Sequence, residues 1–247
     1  MGRLAGWANH AERTLAKDSP TGFGFLRLDL QARQPEALER FYRDLFGLPV
    51  TRGADRSITL HAGGTELRFS AVPAGEPYYH FAFNIPENQL DAALDWVRAR
   101  VPIIPREDGS EVHDFASWNA HAFYFLDPAG NIVEFIARHN LPNAACGSFG
   151  PQSILYVSEI GIVLPDVSAG VAVARREFGL APFAGSCSDE FAAMGDDHRL
   201  LILVHTGRPW HSDGRPSEIF PTGVILRGER SAEWTPDAGP YRIVMQR

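Results

Sequence analysis

The sequence predicts an α+β fold built from repeats of one unit: a strand, a helix, then two or three antiparallel strands. Three observations predict it. Period-2 apolar alternation recurs at three places, each is followed by apolar residues at helical spacing, and two of the helices end on the same Phe-Gly-Leu triplet.

The first unit opens with Phe25-Leu26-Arg27-Leu28-Asp29-Leu30, where Leu26, Leu28 and Leu30 alternate with other residues as on a strand with one buried face. A helix is predicted from about Pro35 to Phe46, with Leu38, Phe41 and Leu45 on one stripe and Gly47 at its stop. Strands over Ser57–His61 and Glu66–Ser70 follow, separated by Gly63-Gly64. The second unit opens with His80-Phe81-Ala82-Phe83-Asn84-Ile85. A helix from about Glu87 to Arg100 comes next, with Leu90, Ala93, Leu94 and Val97 at i, i+3, i+4, i+7. A loop over Arg106–Asp114 leads to strands Ala120–Leu126 and Ile132–Ala137 around the turn Asp127-Pro128-Ala129-Gly130-Asn131. Asp127 and Asn131 suit that turn by bonding side chain to backbone, and Gly130 by adopting a positive φ.

The third unit opens with Glu159-Ile160-Gly161-Ile162-Val163-Leu164, and Asp166 is placed to cap a helix ending near Phe178. Phe178-Gly179-Leu180 matches Phe46-Gly47-Leu48, each lying twelve positions after its helix start at Asp166 or Gln34. Strands over Phe191–Met194 and Leu200–His205 flank Gly195-Asp196-Asp197. Beyond Trp210 two strands, Gly223–Arg227 and Tyr241–Met245, are predicted without a helix, which reads as a shortened fourth partner. The expected division is an N-terminal arm over 1–21, a paired-module domain over 22–140, a linker over 141–150 rich in Pro, Asn and Gly, and a third module with an irregular tail over 151–247.

The 247 residues are 45% hydrophobic and 21% charged, ordinary globular usage, which excludes wholesale disorder and coiled coil. A net charge of −7 with dispersed basic residues gives no electrostatic reason to bind nucleic acid, so a small-molecule partner is expected. No apolar run approaches the ~20 residues that span a bilayer. The first residues lack the apolar core of a secretory signal, so a cytoplasmic location is expected. Cys146 and Cys187 are too few for a disulfide framework and lack metal-binding spacing.

Two strings carry a resemblance. Phe41-Tyr42-Arg43-Asp44-Leu45-Phe46-Gly47-Leu48 resembles the first helix of vicinal oxygen chelate proteins. Phe123 to Phe135, with its Asp-Pro-x-Gly-Asn-x-x-Glu core, resembles their closing hairpin. That superfamily includes glyoxalase I, extradiol dioxygenases, and fosfomycin and bleomycin resistance proteins. The resemblance implies βαβββ modules, two of them paired around a cavity; the C-terminal region reads from its own residues as a third module with a degenerate partner. The resemblance also implies metal ligands on the first and last strands of each module. Carried onto this chain, those positions in module two are His80 and Glu134, and imidazole with carboxylate suits Fe, Mn, Zn or Ni. In module one they fall on Arg27 and Arg68, which ligate no metal; either can hold a substrate carboxylate or form a buried ion pair with Glu134. In module three they fall on Glu159, which reads as a solvated or salt-bridged strand residue or as a ligand in a second cavity formed with another chain, and on an apolar residue near Ile202.

His121 is a candidate third ligand or an acid/base near pH 7, beside the plainer reading of hydrogen-bonded packing. Tyr124 is offset from it by an odd number, so only one of the two faces the cavity, and Tyr124 is placed inside as a donor to substrate. His61 is expected at the surface, and His198, His205 and His211 lack the i, i+4 spacing of a helical zinc motif. The functional expectation is a metal-dependent enzyme of the glyoxalase or dioxygenase kind, with a small, anionic, oxygen-bearing substrate. The alternative is a non-catalytic protein that sequesters a drug or metabolite. An uncovered strand edge in module three argues for pairing with the tail or for a homodimer.

Overall fold

The computed structural model describes residues 24–211, 213–236 and 239–247; the arm expected over residues 1–21 lies outside them. Module one comprises β1 (Gly24–Ala32), α1 (Pro35–Glu39), β2 (Val50–Arg52), β3 (Ile58–Ala62) and β4 (Thr65–Ala71). Module two has β5 (His80–Ile85), α2 (Leu90–Arg98), β6 (His113–Phe115), β7 (Ala120–Leu126) and β8 (Ile132–Arg138). Module three has β9 (Tyr156–Leu164), α3 (Val167–Phe178), β10 (Pro182–Cys187), β11 (Phe191–Asp196) and β12 (Arg199–His205). The chain closes with β13 (Thr222–Arg227), β14 (Ala232–Trp234) and β15 (Tyr241–Gln246). The fold is α+β, with two sheets and few helices.

The sheets run β14-β15-β13-β1-β4-β3-β2 and β10-β11-β12-β9-β5-β8-β7-β6. Module two is therefore hydrogen-bonded to module three through antiparallel β5 and β9, and module one to the closing strands through β1 and β13. The pairing of modules one and two expected from the sequence is not the one the ladders make. Apolar alternation chooses a strand's buried face but not its neighbour, so this register is set by tertiary packing. The edge that argued for a homodimer is covered within the chain, by β5 on β9 and β13 on β1. The two sheets and the helices share one apolar cluster, in which Phe69 meets Phe81 and Phe46 meets Phe125.

Two local departures re-aim side chains. The β1–β13 ladder skips Leu26, so Phe25, Leu28 and Leu30 are buried and the even alternation read from the sequence breaks there. After α1 the chain widens into a π turn over Arg40–Leu45, with the Phe46 amide bonding the Phe41 carbonyl at 3.1 Å. The wider turn brings Tyr42 and Phe46 inward and leaves Leu45 39% exposed, off the stripe predicted for it. The third helix follows its sequence signals: Asp166 accepts from the Ala169 amide at 2.8 Å, and Gly179 ends the helix at φ +67°.

Candidate functional site

The second sheet curls until its ends meet, where Trp118 Nε1 donates to Ser186 Oγ at 3.1 Å and Trp118 packs edge-on to Phe183. A cavity of about 250 Å³ lies inside this curl. His80, Tyr124, Glu134, Glu159 and Ile202 line it from the strands, and Arg208, Trp210 and His211 from the loop before β13. The cavity thus belongs to modules two and three and to a loop that gives no repeat signal in the sequence.

Strand pleating aims these groups. On β8, Glu134 and Arg138 face the same side as Ile132, while Val133 and Phe135 enter the core. Glu134 pairs with Ala82, and Ile202 with Gly161, at matching places in the two modules. Ala82 in turn pairs with Glu159 across the β5–β9 junction. Three polar positions therefore converge: one ligand-type atom each of His80, Glu134 and Glu159 lies within 4.8 Å of the others. The fourth matching position is Ile202, apolar as the sequence indicates. Glu159 is 2% exposed and ion-paired with Arg138, so it is a salt-bridged strand residue rather than a solvated one, and it lines this same cavity.

The electrostatics of this cluster are unusual. His80 Nδ1 lies 3.2 Å from the Ile132 carbonyl, a contact that places the ring proton on Nδ1 and leaves Nε2 a lone pair. Burial lowers the His80 pKa to about 4, so the ring is neutral at pH 7. Its Nε2 faces Glu134 Oε2 at 3.5 Å. Burial and the neighbouring Glu159 charge push the Glu134 pKa well up, against the pull of Arg138 and a hydrogen bond from Tyr124. Glu159 is raised by burial and held down by Arg138, whose guanidinium is fully buried and bonds it directly. Two buried carboxylates thus share one guanidinium, while the Arg138 Nη1 reaches Asp197 at 3.8 Å. Such an arrangement lacks positive charge at its centre. The donor set fits a divalent cation: a neutral imidazole nitrogen and two carboxyl groups directed at one point, where the raised Glu134 pKa reflects the same lack of positive charge.

The remaining candidates lie elsewhere. Arg27 and Arg68 do not line the cavity, because module one belongs to the other sheet. Arg27 Nη2 bonds Asp29 at 2.6 Å, and Arg68 bonds Asp55 and approaches Asp29 at 3.8 Å. They do not pair with Glu134 either. The matching positions on the closing strands are Gly223, opposite Asp29, and Val244, so the first sheet holds an ion-pair cluster where the second gathers ligand-type groups. His121 points away from the cavity: its Nδ1 lies 2.9 Å from His139 Nε2, and His139 Nδ1 3.2 Å from Glu87. His61 pairs loosely with Glu66 at the surface. Tyr124 lines the cavity, and burial raises its pKa strongly.

Sequence reasoning left out His113 and weighted His211 lightly. His113 Nδ1 lies 3.3 Å from His211 Nε2, and the His113 ring packs edge-on to Tyr124. Burial takes the His113 pKa down to about 4, helped by His211 and Arg106. These residues are separated by 98 positions, and no local pattern joins them.

Residues 24–135 match the model of the Glyoxalase/Bleomycin resistance protein/Dioxygenase superfamily. No curated protein matches the chain. Among solved structures, glyoxalase I from Zea mays aligns with a TM-score of 0.52 at 12% identity, over 90% of this chain and 92% of its own. A Bacillus subtilis protein described as a candidate dioxygenase aligns with a TM-score of 0.54 at 14% identity, over 90% of this chain and 84% of its own. At these identities the likeness is one of fold. Residues 24–135, a little under half of the chain, thus match that superfamily's model, and the chain as a whole shares the fold of these two structures.

Proposed function

We propose that this chain is a metal-dependent enzyme acting on a small oxygen-bearing substrate, of the lyase or dioxygenase kind. His80, Glu134 and Glu159 would hold the ion. The observation that carries the reading is the lone pair of His80 Nε2 facing two buried carboxylates that share one guanidinium. A divalent ion supplies Lewis acidity toward substrate oxygens at the positions the protein leaves open. The chain's own groups do the rest. Tyr124 Oη, whose raised pKa keeps it protonated, donates either to Glu134 or to a substrate oxygen beside it. Trp210, Phe115 and Trp118 wall the cavity and exclude water, which strengthens every electrostatic contact inside. Arg138 bonds one oxygen of Glu159 and so fixes the orientation of that carboxylate beside His80 and Glu134.

The Arg138–Glu159 pair also favours a second reading, a binding protein that uses the same cavity without a metal. Metal analysis of protein purified without tag or chelator separates the two. The enzyme reading expects about one equivalent of a transition metal, and a loss of roughly tenfold or more in occupancy for Glu134→Gln. Under about half an equivalent, with no gain on reconstitution, overturns it in favour of the binder.

A further inference from the structure

The proposed metal site uses only the floor of the cavity. His80, Tyr124, Glu134, Glu159 and Ile202 are buried there, whereas Phe115, Trp118, Phe191 and Arg208 are half-buried and His211 is exposed at the rim. Floor and rim differ in charge. The floor carries two carboxylates against one guanidinium, while the rim carries Arg208.

Arg208 differs from most of the arginines around it. Arg138 pairs with Glu159 and Arg215 with Asp213, but no carboxylate lies within ion-pair distance of Arg208 among the described residues. Among the described residues its one hydrogen-bond contact is a long 3.5 Å approach to the neighbouring Pro209 carbonyl. Its guanidinium instead lies 5.1 Å from the centre of the Phe191 ring. Across the rim Phe115 and Trp118 stack with ring centres 5.7 Å apart and planes at 28°. An unpaired fork of donors beside flat apolar walls is suited to a ligand that has a planar apolar body and an anionic end.

We propose that the cavity takes a small planar aromatic monocarboxylate, its carboxylate held at the rim by Arg208 and its ring packed among Phe191, Trp118 and Trp210. Size limits the body to one or two rings, since about 250 Å³ falls just below the usual pocket for a drug-sized ligand, roughly 300–1,000 Å³. Charge limits the head to a monoanion. Desolvation and nearby arginines lower the pKa of His211 and His113, and Arg106 faces Asp108 at 3.7 Å, so among the described rim residues Arg208 is the cation without a carboxylate partner. The guanidinium matches a carboxylate with two parallel hydrogen bonds. This inference deepens the enzyme reading by directing the far edge of the ring toward the floor, yet the rim contacts themselves need no metal.

The test is calorimetric titration of metal-free, full-length protein with 2-naphthoate and with its neutral isostere 2-naphthamide. Naphthoate is expected to bind at least about tenfold more tightly, the scale of one charge-assisted pair. Arg208→Met is expected to weaken naphthoate by a similar factor and to change naphthamide less than about twofold, with Arg208→Lys between the two. A decalin-2-carboxylate control is expected to bind more weakly than naphthoate. Equal affinity for acid and amide overturns the proposal, as does an Arg208→Met variant that leaves naphthoate unchanged or weakens both ligands alike. Tighter binding of the saturated acid overturns the aromatic body. Metal is absent throughout, so failure here leaves the metal analysis standing, and failure there leaves these affinities untouched.

Discussion

Asp127 is buried at the hairpin between β7 and β8, where its Oδ1 accepts from the Ala129 amide at 2.9 Å and the Asn131 amide at 3.1 Å. Its Oδ2 accepts from Asn131 Nδ2 and from the Tyr42 hydroxyl, both at 2.8 Å. Burial nonetheless carries its pKa up to about 6, against the pull of those donors. Tyr42→Phe removes one donor from a buried carboxylate and is expected to cost about 1–3 kcal/mol in urea unfolding. The pH dependence has two opposed parts. Asp127 binds a proton more readily folded than unfolded, so its contribution falls as pH rises from about 3.8 to 6. His113 refuses a proton when folded, so its contribution rises with pH between about 4 and 6.5. His113→Asn should therefore lose less stability than the parent protein between pH 6.5 and 4.5, read from denaturant midpoints; an unchanged or steeper loss contradicts that role. Asp127 and Asn131 were legible as turn residues because their partners lie within four positions. Glu159 was legible as a salt-bridged strand residue but not as a neighbour of His80 and Glu134, because these partners come from other strands, and the module pairing that joins them leaves no mark in local pattern.

At the scale of elements, existence and order follow from period and punctuation, while aim follows from irregularities. The three helices, the closing hairpin and the Asp166 cap were readable in the sequence. The π turn that moves Tyr42 inward and the skipped Leu26 on β1 were not, since each changes the phase of a pattern without changing its composition. The turn between β3 and β4 is fixed more tightly than its Gly-Gly pair implies. Gly63 sits at φ +52°, and a Cβ there would lie 1.9 Å from the Leu155 carbonyl oxygen, which accepts from the Gly64 amide at 2.9 Å. Gly63→Ala combines a strained left-handed φ with a backbone clash and is expected to destabilise by more than about 1 kcal/mol, whereas Gly75→Ala, strained in φ but open to solvent, should cost less. Equal costs measured by thermal unfolding would mean that the Leu155 segment gives way.

Over the whole molecule the duplication has diverged in charge. The pairing of modules two and three gathers an imidazole and two carboxylates, and the pairing of module one with the closing strands gathers two guanidiniums with Asp29 and Asp55. The backbone geometry of the two junctions is alike, since Ala82 opposes Glu159 as Asp29 opposes Gly223. What each sheet can hold is therefore decided by side chains at matching positions. No helix among the described residues is long and apolar enough to cross a membrane. The proposed divalent ion would sit among His80, Glu134 and Glu159. Anomalous diffraction at the manganese absorption edge, from crystals of the full chain grown with Mn²⁺, tests it most directly. One strong peak is expected at coordination distance, roughly 2.0–2.3 Å, from His80 Nε2 and an oxygen of each glutamate. A cavity without a peak at full Mn²⁺ exposure, with Glu134 hydrogen-bonded to His80 instead, would contradict it.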